Sequence, residues 1–277
     1  ANKSVRICLS QQDSLNGLAH FSSLLCQAHH CSDDDRINYL SAAQEQAKKL
    51  IYPDYPSFSS NLLWLIGYDL DQLREYEEAI AAYDQALDIK PDFHDALINK
   101  GVALLNLKRY EEAIAACDQA LDIKPNFHYA LINKGDALLN LKRYEEAIAA
   151  CDQALEIKFD DLEVLTKKGG ALFSLGRYEE AIAAYEKALA IKPNCRCALD
   201  GKGLALGQIG QYEEAIASYN QALTIKPDVP CTATSKRLEL GRLERPEEAV
   251  GTSDQPLKFK PNNHHTLTNK GLALGNL

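Results

Sequence analysis

The sequence predicts an all-α protein in which a 34-residue unit of two helices is repeated along most of the 277 residues. Proline recurs at this interval, and Phe159 fills the one gap in the series. Small residues keep the same step in several independent series. The clearest of these series is Ala79, Ala113, Ala147, Ala181, Ala215 and Ala249. A fixed period of this size is typical of stacked repeats.

Each unit contains two amphipathic segments with helical spacing. In residues 94–127, a first apolar stripe is followed by a second one. Glu111 and Glu112 begin the second helix, because carboxylates stabilise the positive end of a helix dipole. Pro125 ends that helix, since proline cannot continue it. The unit is therefore predicted to be a helix, a turn and a second helix.

Small residues are predicted where helices approach closely. Gly101 and Ala113 lie where the two helices of a unit cross, and Ala120 lies where the second helix meets the next unit. Cys117 and Cys151 occupy the same apolar position in two units, which predicts buried free thiols. Free thiols favour a reducing compartment, so the expected location is the cytoplasm.

This pattern resembles the tetratricopeptide repeat, whose signature is a glycine in the first helix, then alanine, an aromatic residue and alanine in the second, closed by proline. Residues 94–127 match it with Gly101, Ala113, Ala120 and Pro125, whereas Cys117 replaces the aromatic residue. The resemblance implies a right-handed superhelical solenoid, and the near-identical units at 94–161 resemble those of bacterial, especially cyanobacterial, proteins. The predicted repeats are 60–93, 94–127, 128–161, 162–195, 196–229 and 230–263, with a partial unit at 264–277.

Residues 1–59 do not keep the repeat register. Two amphipathic helices are predicted there, at 16–28 and 34–51, and residues 52–60 are predicted to form a turn or linker. A divergent helical cap on the first repeat is the preferred interpretation of 1–59. An independent small domain is the alternative, although it would be short of core.

The sixth repeat, 230–263, departs from the pattern. Arg237 replaces its glycine, Pro246 begins its second helix, and Pro256 is expected to cut that helix near its end. The chain stops at Leu277 within a seventh unit, so the sequence is expected to be a piece of a longer protein.

Composition excludes several classes of function. The formal net charge of −9 and a pI of about 5.3 argue against a nucleic-acid partner, because phosphates require clustered Lys and Arg. The best apolar run, 62–67, is far shorter than a membrane span, so no membrane partner is expected.

Few residues suggest chemistry. Cys26, His29 and His30 form the one metal-like group, but zinc usually takes two separated ligand pairs, so an ordinary helix end is favoured over a metal site. Cys195 and Cys197 could form a redox pair, although incidental thiols are favoured. No nucleophile-elbow, phosphate-loop, dinucleotide or HExxH motif is present. Neither enzyme activity nor a cofactor is therefore predicted.

A lysine recurs at the seventh position of every unit from 94–127 onward, from Lys100 to Lys270. One interpretation is a basic strip that grips an acidic ligand. The favoured interpretation is structural: each lysine lays its stem across the helix pair and directs its ammonium group to a nearby acid. The acids predicted for this role are Asp84, Asp118, Asp152 and Glu186.

The resemblance also implies which residues contact a partner. In this family the first helices line a concave face, and ligand contacts usually come from five positions of the repeat. In this sequence, the candidates at those positions are Asp95, Ile98, Val102, Leu105, Asn106, Tyr129, Ile132, Asp136, Leu139, Asn140, Glu163, Thr166, Phe173, Asp200, Leu204 and Gln208. Asn99 and Asn133 match part of the clamp that holds acidic peptide ends, but its basic members are missing.

The predicted function is a scaffold or adaptor that binds an apolar or amphipathic peptide or partner protein in the concave groove. Lys or Arg of that partner is expected to meet Asp136, Glu163 and Asp200. A first alternative is a regulatory or sensing arm whose effector lies beyond residue 277 or on another chain. A small metal-binding module in residues 1–59 is a second alternative. Self-association through the repeat ends also stays open.

Overall fold

The computed structural model describes residues 56–249, 251 and 252, and before them residues 35, 37–42 and 44. The chain divides into two compact units, Ala1–Leu141 and Lys142–Leu277. Within the described residues the secondary structure is helical, with turns between the helices and no strand.

From Pro56 onward, the first unit contains five consecutive helices. Each packs on the next, and the alternate helices α1, α3 and α5 also lie side by side. The helices are α1 (Pro56–Gln72), α2 (Tyr76–Ile89), α3 (His94–Asn106), α4 (Tyr110–Ile123) and α5 (His128–Asn140).

The second unit repeats this arrangement. Its alternate helices α7, α9 and α11 lie side by side, and each helix packs on its successor. The helices are α6 (Tyr144–Ile157), α7 (Leu162–Ser174), α8 (Tyr178–Ile191), α9 (Arg196–Gln208), α10 (Tyr212–Ile225) and α11 (Pro230–Arg242). The predicted all-α stack of helix pairs is confirmed in both units.

Two predicted boundaries need comment. Helix α1 begins at Pro56, so the linker predicted at 52–60 is wrong over its last five residues. A proline in the first turn of a helix costs nothing, because its missing N–H would have no partner there. Pro246 does begin a helical stretch, as predicted. The irregularity expected near Pro256 lies outside the described residues.

Only part of the N-terminal cap region is described. Residues 37–42 are helical within the helix predicted at 34–51, whereas the helix predicted at 16–28 lies outside the described residues. Leu40 is fully buried and belongs to the cluster that contains Leu63 and Ile66 of α1. This contact agrees with a capping role for the segment around Leu40.

The turn between the two helices of each repeat contains a residue in the left-handed region. Gly176 and Gly210 adopt it with φ of 77° and 82°. The same position in the other repeats is Arg74, Lys108, Lys142 and Glu244, with φ between 54° and 67°. The following N–H donates back to the carbonyl five residues earlier, as from Arg109 to Leu104 at 2.9 Å, which closes the first helix with a Schellman motif.

Glycine allows the two helices of a repeat to cross closely, as predicted. A Cβ atom at Gly203 would lie 2.6 Å from the ring of Tyr219, which is fully buried. At Gly101 the facing side chain is Cys117, and a Cβ atom would lie 3.3 Å from its Sγ. The glycine therefore makes room for an aromatic ring in one repeat and for a thiol in another.

Alanine serves the contact between successive repeats. Ala120 of α4 is fully buried in a cluster with Leu97 and Ile98 of α3 and Ala130 of α5. This arrangement confirms the predicted role of Ala120, since a larger side chain would separate the helices.

The lysines at the seventh position make the predicted internal ion pairs. Lys100 contacts Asp84 at 2.5 Å, Lys134 contacts Asp118 at 2.6 Å, and Lys202 contacts Glu186 at 2.7 Å. Lys168 and Asp152 form the corresponding pair. Each pair joins a first helix to the second helix of the preceding repeat, so the structural interpretation of these lysines is confirmed.

A second series of ion pairs was not predicted. Arg109, the residue just before α4, contacts Glu112 of that helix at 2.6 Å and Glu77 of the preceding repeat at 3.0 Å. In the second unit, Arg245 repeats this with Glu248 and Glu213. Exposed pairs of this kind contribute little individually, about 0.2–1 kcal/mol each.

The thiols differ in reactivity. Cys117 is fully buried, and burial raises the pKa of its thiol to about 12. Cys197 and Cys231 are exposed free thiols.

We expect iodoacetamide at neutral pH to modify Cys197 and Cys231 of the folded protein within minutes and to leave Cys117 unmodified, because only a thiolate reacts. Peptide mass spectrometry after a timed quench measures this, and early modification of Cys117 would contradict its burial.

Candidate functional site

The predicted contact residues lie on the first helices of the repeats. In the first unit these are α3 and α5, which pack beside each other and beside α1. In the second unit they are α7 and α9, with α11 next to α9. Each unit therefore presents its own face of parallel first helices.

In the first unit, the candidates differ greatly in exposure. Tyr129 is 65% exposed, whereas Ile98 is only 7% exposed and belongs to the core cluster around Ala120. Ile98 therefore offers a partner little surface. Asp95, Asn106 and Asn140 are exposed, and Val102, Leu105, Ile132, Asp136 and Leu139 are half-buried.

The equivalent residues of the first repeat were missed by the sequence prediction. They are Asn61, Trp64, Tyr68, Asp71 and Gln72 of α1. The sequence did contain the signal needed to find them, because these residues occupy the same five contact positions within the predicted repeat 60–93.

Aromatic rings dominate this part of the first unit. The rings of Trp64 and Tyr68 lie 6.0 Å apart, and Trp64 also lies 6.0 Å from Phe93 in the turn before α3. Tyr68 is 43% exposed. Trp64 is half-buried, and its Nε1 has no hydrogen-bond partner. These residues give α1 an aromatic face.

Two carboxylates near these aromatic rings, Asp71 on α1 and Asp95 on α3, lack a basic partner. Oδ1 of Asp71 is buried without a hydrogen-bond partner, and burial raises the pKa of this carboxyl. Asp95 is about half exposed, and its neighbour is the imidazole of His94 at 3.5 Å. Among the described residues, no Lys or Arg pairs with either carboxylate.

In the second unit, the predicted acids are already paired. Glu163 contacts Lys167 at 2.5 Å. Asp200 contacts Arg196 at 2.6 Å and accepts a hydrogen bond from Thr232 at 2.9 Å. These acids are therefore compensated within the chain and do not require a basic partner.

The apolar residues of the second unit remain accessible. Leu204 is 39% exposed, and Leu238, at the same position of the next repeat, is 51% exposed. Phe173 is half-buried against Tyr178 at a ring distance of 5.5 Å. Thr166 donates its hydroxyl proton to the Leu162 carbonyl, and Gln208 is exposed. This unit therefore offers two exposed leucines on neighbouring first helices, Leu204 on α9 and Leu238 on α11.

Helix α11 introduces a buried acid. Glu239 is 6% exposed, and it occupies a position that is alanine in the four preceding repeats. Its carboxylate fills the space next to Gly207, where a Cβ atom would lie 2.6 Å from Oε1. Nη1 of Arg242 donates to Oε2 of Glu239 and to the Gly207 carbonyl, each at 3.1 Å.

The described residues contain no group of His, Cys, Asp and Glu that could hold a metal ion. The sequence CQAHHC at 26–31 lies outside the described residues. None of the described helices is both long and apolar enough to cross a membrane.

Two protein-family models match the chain. One, described as tetratricopeptide repeat, matches residues 65–127. A second model with the same description matches residues 127–194 and 160–228. Together these matches span more than half of the chain. A search of curated proteins gives no match.

Several solved structures share the fold. PilF of Pseudomonas aeruginosa has a TM-score of 0.64 and 18% identity, over 78% of this chain and 99% of that one. A tetratricopeptide repeat protein from Parabacteroides merdae has a TM-score of 0.61 and 17% identity, over 92% and 98% of the two chains. YrrB, described as a TPR protein with an unusual peptide-binding site, has a TM-score of 0.57 and 20% identity, over 69% and 98%. The family-model matches and this common fold show that the chain belongs to the tetratricopeptide repeat family, a typically non-enzymatic repeat fold that serves as a scaffold for protein interactions.

Proposed function

We propose that the chain binds an apolar or amphipathic segment of a partner protein across the first helices of its repeats. The observation that carries this proposal is the pair Leu204 and Leu238. They occupy the same position in consecutive first helices, and they are 39% and 51% exposed. Since α9 and α11 lie side by side, one bound segment could cover both leucines.

The charges around these leucines support an uncharged contact. Asp200 is compensated by Arg196, and Glu239 by Arg242. The charges of these four side chains therefore balance one another at the surface that a partner meets. The burial of apolar area supplies the affinity. Binding at this face should depend little on ionic strength.

A known fold relative is in keeping with this function. YrrB, which has this fold, is described as having a peptide-binding site. In the present chain, the accessible leucines and the compensated charges of α9 and α11 support this function.

Serine substitution of the two leucines tests the proposal. Random 15-residue peptides displayed on phage are selected on the immobilised full chain, and the enriched peptides are synthesised. We expect them to be rich in apolar residues and to bind Leu204→Ser/Leu238→Ser at least about tenfold more weakly than the unchanged chain, since each leucine loses part of its buried area. Fluorescence anisotropy of the labelled peptides measures the affinity.

A matched control removes apolar residues of similar exposure elsewhere. Ile191 and Ile225, at the ends of second helices α8 and α10, are 43% and 41% exposed. The variant Ile191→Ser/Ile225→Ser should bind the same peptides with unchanged affinity. Equal weakening in the two double variants, or no weakening by the leucine variant, would refute binding at the first helices.

A further inference from the structure

We propose that helix α1 binds an arginine or lysine side chain of a partner protein, with the cation held between the ring of Tyr68 and the carboxylate of Asp71. This inference rests on the proposed function, and it adds a charge requirement and a location in the first unit.

The three residues that form the site share one side of α1. Trp64, Tyr68 and Asp71 are spaced by four and three residues, which brings them onto one face over two helical turns. The 6.0 Å distance between the Trp64 and Tyr68 rings confirms that these side chains are neighbours. A side chain bound along this face would therefore contact the rings of Trp64 and Tyr68 and, about one turn towards the C-terminus, the carboxylate of Asp71.

The carboxylate of Asp71 has lost solvent without gaining a donor. Its Oδ1 is buried and lacks a hydrogen-bond partner, and burial raises the pKa of the carboxyl because the charged form is poorly solvated. A guanidinium or ammonium group at this carboxylate would supply the missing opposite charge. Since Oδ1 has almost no accessible surface, a ligand cation would reach the carboxylate through the remaining part of the half-buried Asp71 side chain.

Asp95 adds a second negative charge close to the same aromatic group. It lies two residues after Phe93, whose ring contacts Trp64. The side chain is about half exposed, and its neighbour His94 is at 3.5 Å.

Three described cations of the first unit pair with acids elsewhere, and Lys90 lies over the ring of Phe93 at 4.9 Å. Lys100 and Lys134 pair with acids of the second helices, and Arg109 pairs with two glutamates. In the second unit, by contrast, Glu163 and Asp200 have their own cationic partners. The expected contact with a basic partner therefore moves from those two acids to Asp71 and Asp95.

Tyr68 makes the site selective for a cation rather than for any hydrogen-bond donor. Its ring is 43% exposed and lies beside the indole of Trp64. The face of an aromatic ring attracts a cation within about 6 Å of its centroid. Arginine is favoured over lysine, because its planar group can stack on the ring and bond a carboxylate at once.

Matched synthetic peptides test the inference. The probe is a ten-residue peptide with one central arginine flanked by leucines, compared with twins that carry lysine, citrulline or glutamate at that place. Because Trp64 is the one tryptophan of the chain, its emission can report directly on occupation of this site. We expect the arginine peptide to bind about fivefold more tightly than the citrulline twin, and the glutamate twin to bind most weakly.

Variants identify the two contacts. Asp71→Asn and Tyr68→Leu should each remove most of the preference for arginine over citrulline, whereas Tyr68→Phe should keep it. Asp88→Asn is the matched control, since it removes one exposed carboxylate from α2 of the same repeat. A merely structural role of Asp71 would change thermal stability in Asp71→Asn and leave the peptide preference unchanged.

The outcomes separate this inference from the proposed function. Equal binding of the arginine and citrulline peptides to the unchanged chain overturns the cation site. Loss of the preference in Asp88→Asn as well as in Asp71→Asn also overturns it, since a general charge effect would then explain the result. If neutral peptides still require Leu204 and Leu238 in that case, the proposed function stands without the cation site.

Discussion

Replacement of Gly203 by alanine is expected to lower the free energy of unfolding by about 2 kcal/mol or more. The new Cβ atom would lie 2.6 Å from one ring atom of Tyr219 and within 3 Å of two others. Tyr219 is fully buried, so its ring has no solvent into which it can move. Alanine is favoured over glycine in a helix by about 1 kcal/mol, and the clash must outweigh that gain. Urea denaturation followed by circular dichroism measures the change.

The same substitution in another repeat provides the control. At Gly101 the nearest atom to a new Cβ is the Sγ of Cys117, at 3.3 Å. We expect Gly101→Ala to leave stability unchanged or to raise it by up to about 1 kcal/mol. Adding Gly203→Ala to Tyr219→Cys should likewise cost nothing further, because the facing residue is then small. Equal losses in Gly203→Ala and Gly101→Ala would show that the size of the facing side chain does not decide the effect.

Removal of the guanidinium of Arg242 is expected to destabilise the second unit at neutral pH. The side chain of Glu239 is only 8% exposed, and Arg242 is its ion-pair partner at 3.1 Å. Breaking a fully buried pair costs about 3–5 kcal/mol, and the exposure of Arg242 reduces this, so Arg242→Met should cost about 2 kcal/mol.

The loss should depend on pH in a defined direction. Burial raises the pKa of Glu239, and the charge and hydrogen bond of Arg242 oppose this rise. An acid with a raised folded-state pKa contributes most to stability when protonated, and this contribution falls as pH rises through the folded pKa. Without Arg242 the pKa rises further. The destabilisation by Arg242→Met should therefore be largest at neutral pH and should become smaller at acidic pH. Urea titrations of this variant and of the unchanged chain, at neutral and at acidic pH, measure the difference.

A double variant distinguishes charge from packing. Arg242 also lies over the ring of Tyr212, at 5.3 Å from its centroid, so its loss could act through that contact. Glu239→Gln/Arg242→Met removes the buried charge and should recover most of the stability at neutral pH. A double variant as unstable as Arg242→Met alone would assign the loss to the contact with Tyr212 or to the hydrogen bond with the Gly207 carbonyl.

The sequence alone predicted the repetitive part of the structure well. Gly101 and Ala120 were placed at close helix contacts from their period, and the acids that pair with the lysines were identified by their constant spacing. These features depend on residues that recur in most repeats, so each copy strengthens the prediction of the next. The left-handed turn at Lys108 gave no such signal, because lysine is uncommon in that conformation.

The candidate site was predicted less completely, for a physical reason. A list of contact positions identifies Glu163 and Asp200 as acids, but it does not show that Lys167 and Arg196 reach them from one helical turn away. Nor does it show that Ile98 is covered by neighbouring side chains. Net charge and accessibility at a position depend on the side chains around it, and these are known only once the helices are packed.

The similarity of residues 94–127 and 128–161 has a consequence for how the chain can change in evolution. Helix α2 is followed by Ala96 and Leu97 on α3, and α5 carries Ala130 and Leu131 at the same places. Recombination between the two gene segments would delete or duplicate one whole unit and leave a junction lined by the same side chains. The length of the array is thus free to vary in steps of 34 residues, while recognition changes separately, by point substitution on the first helices.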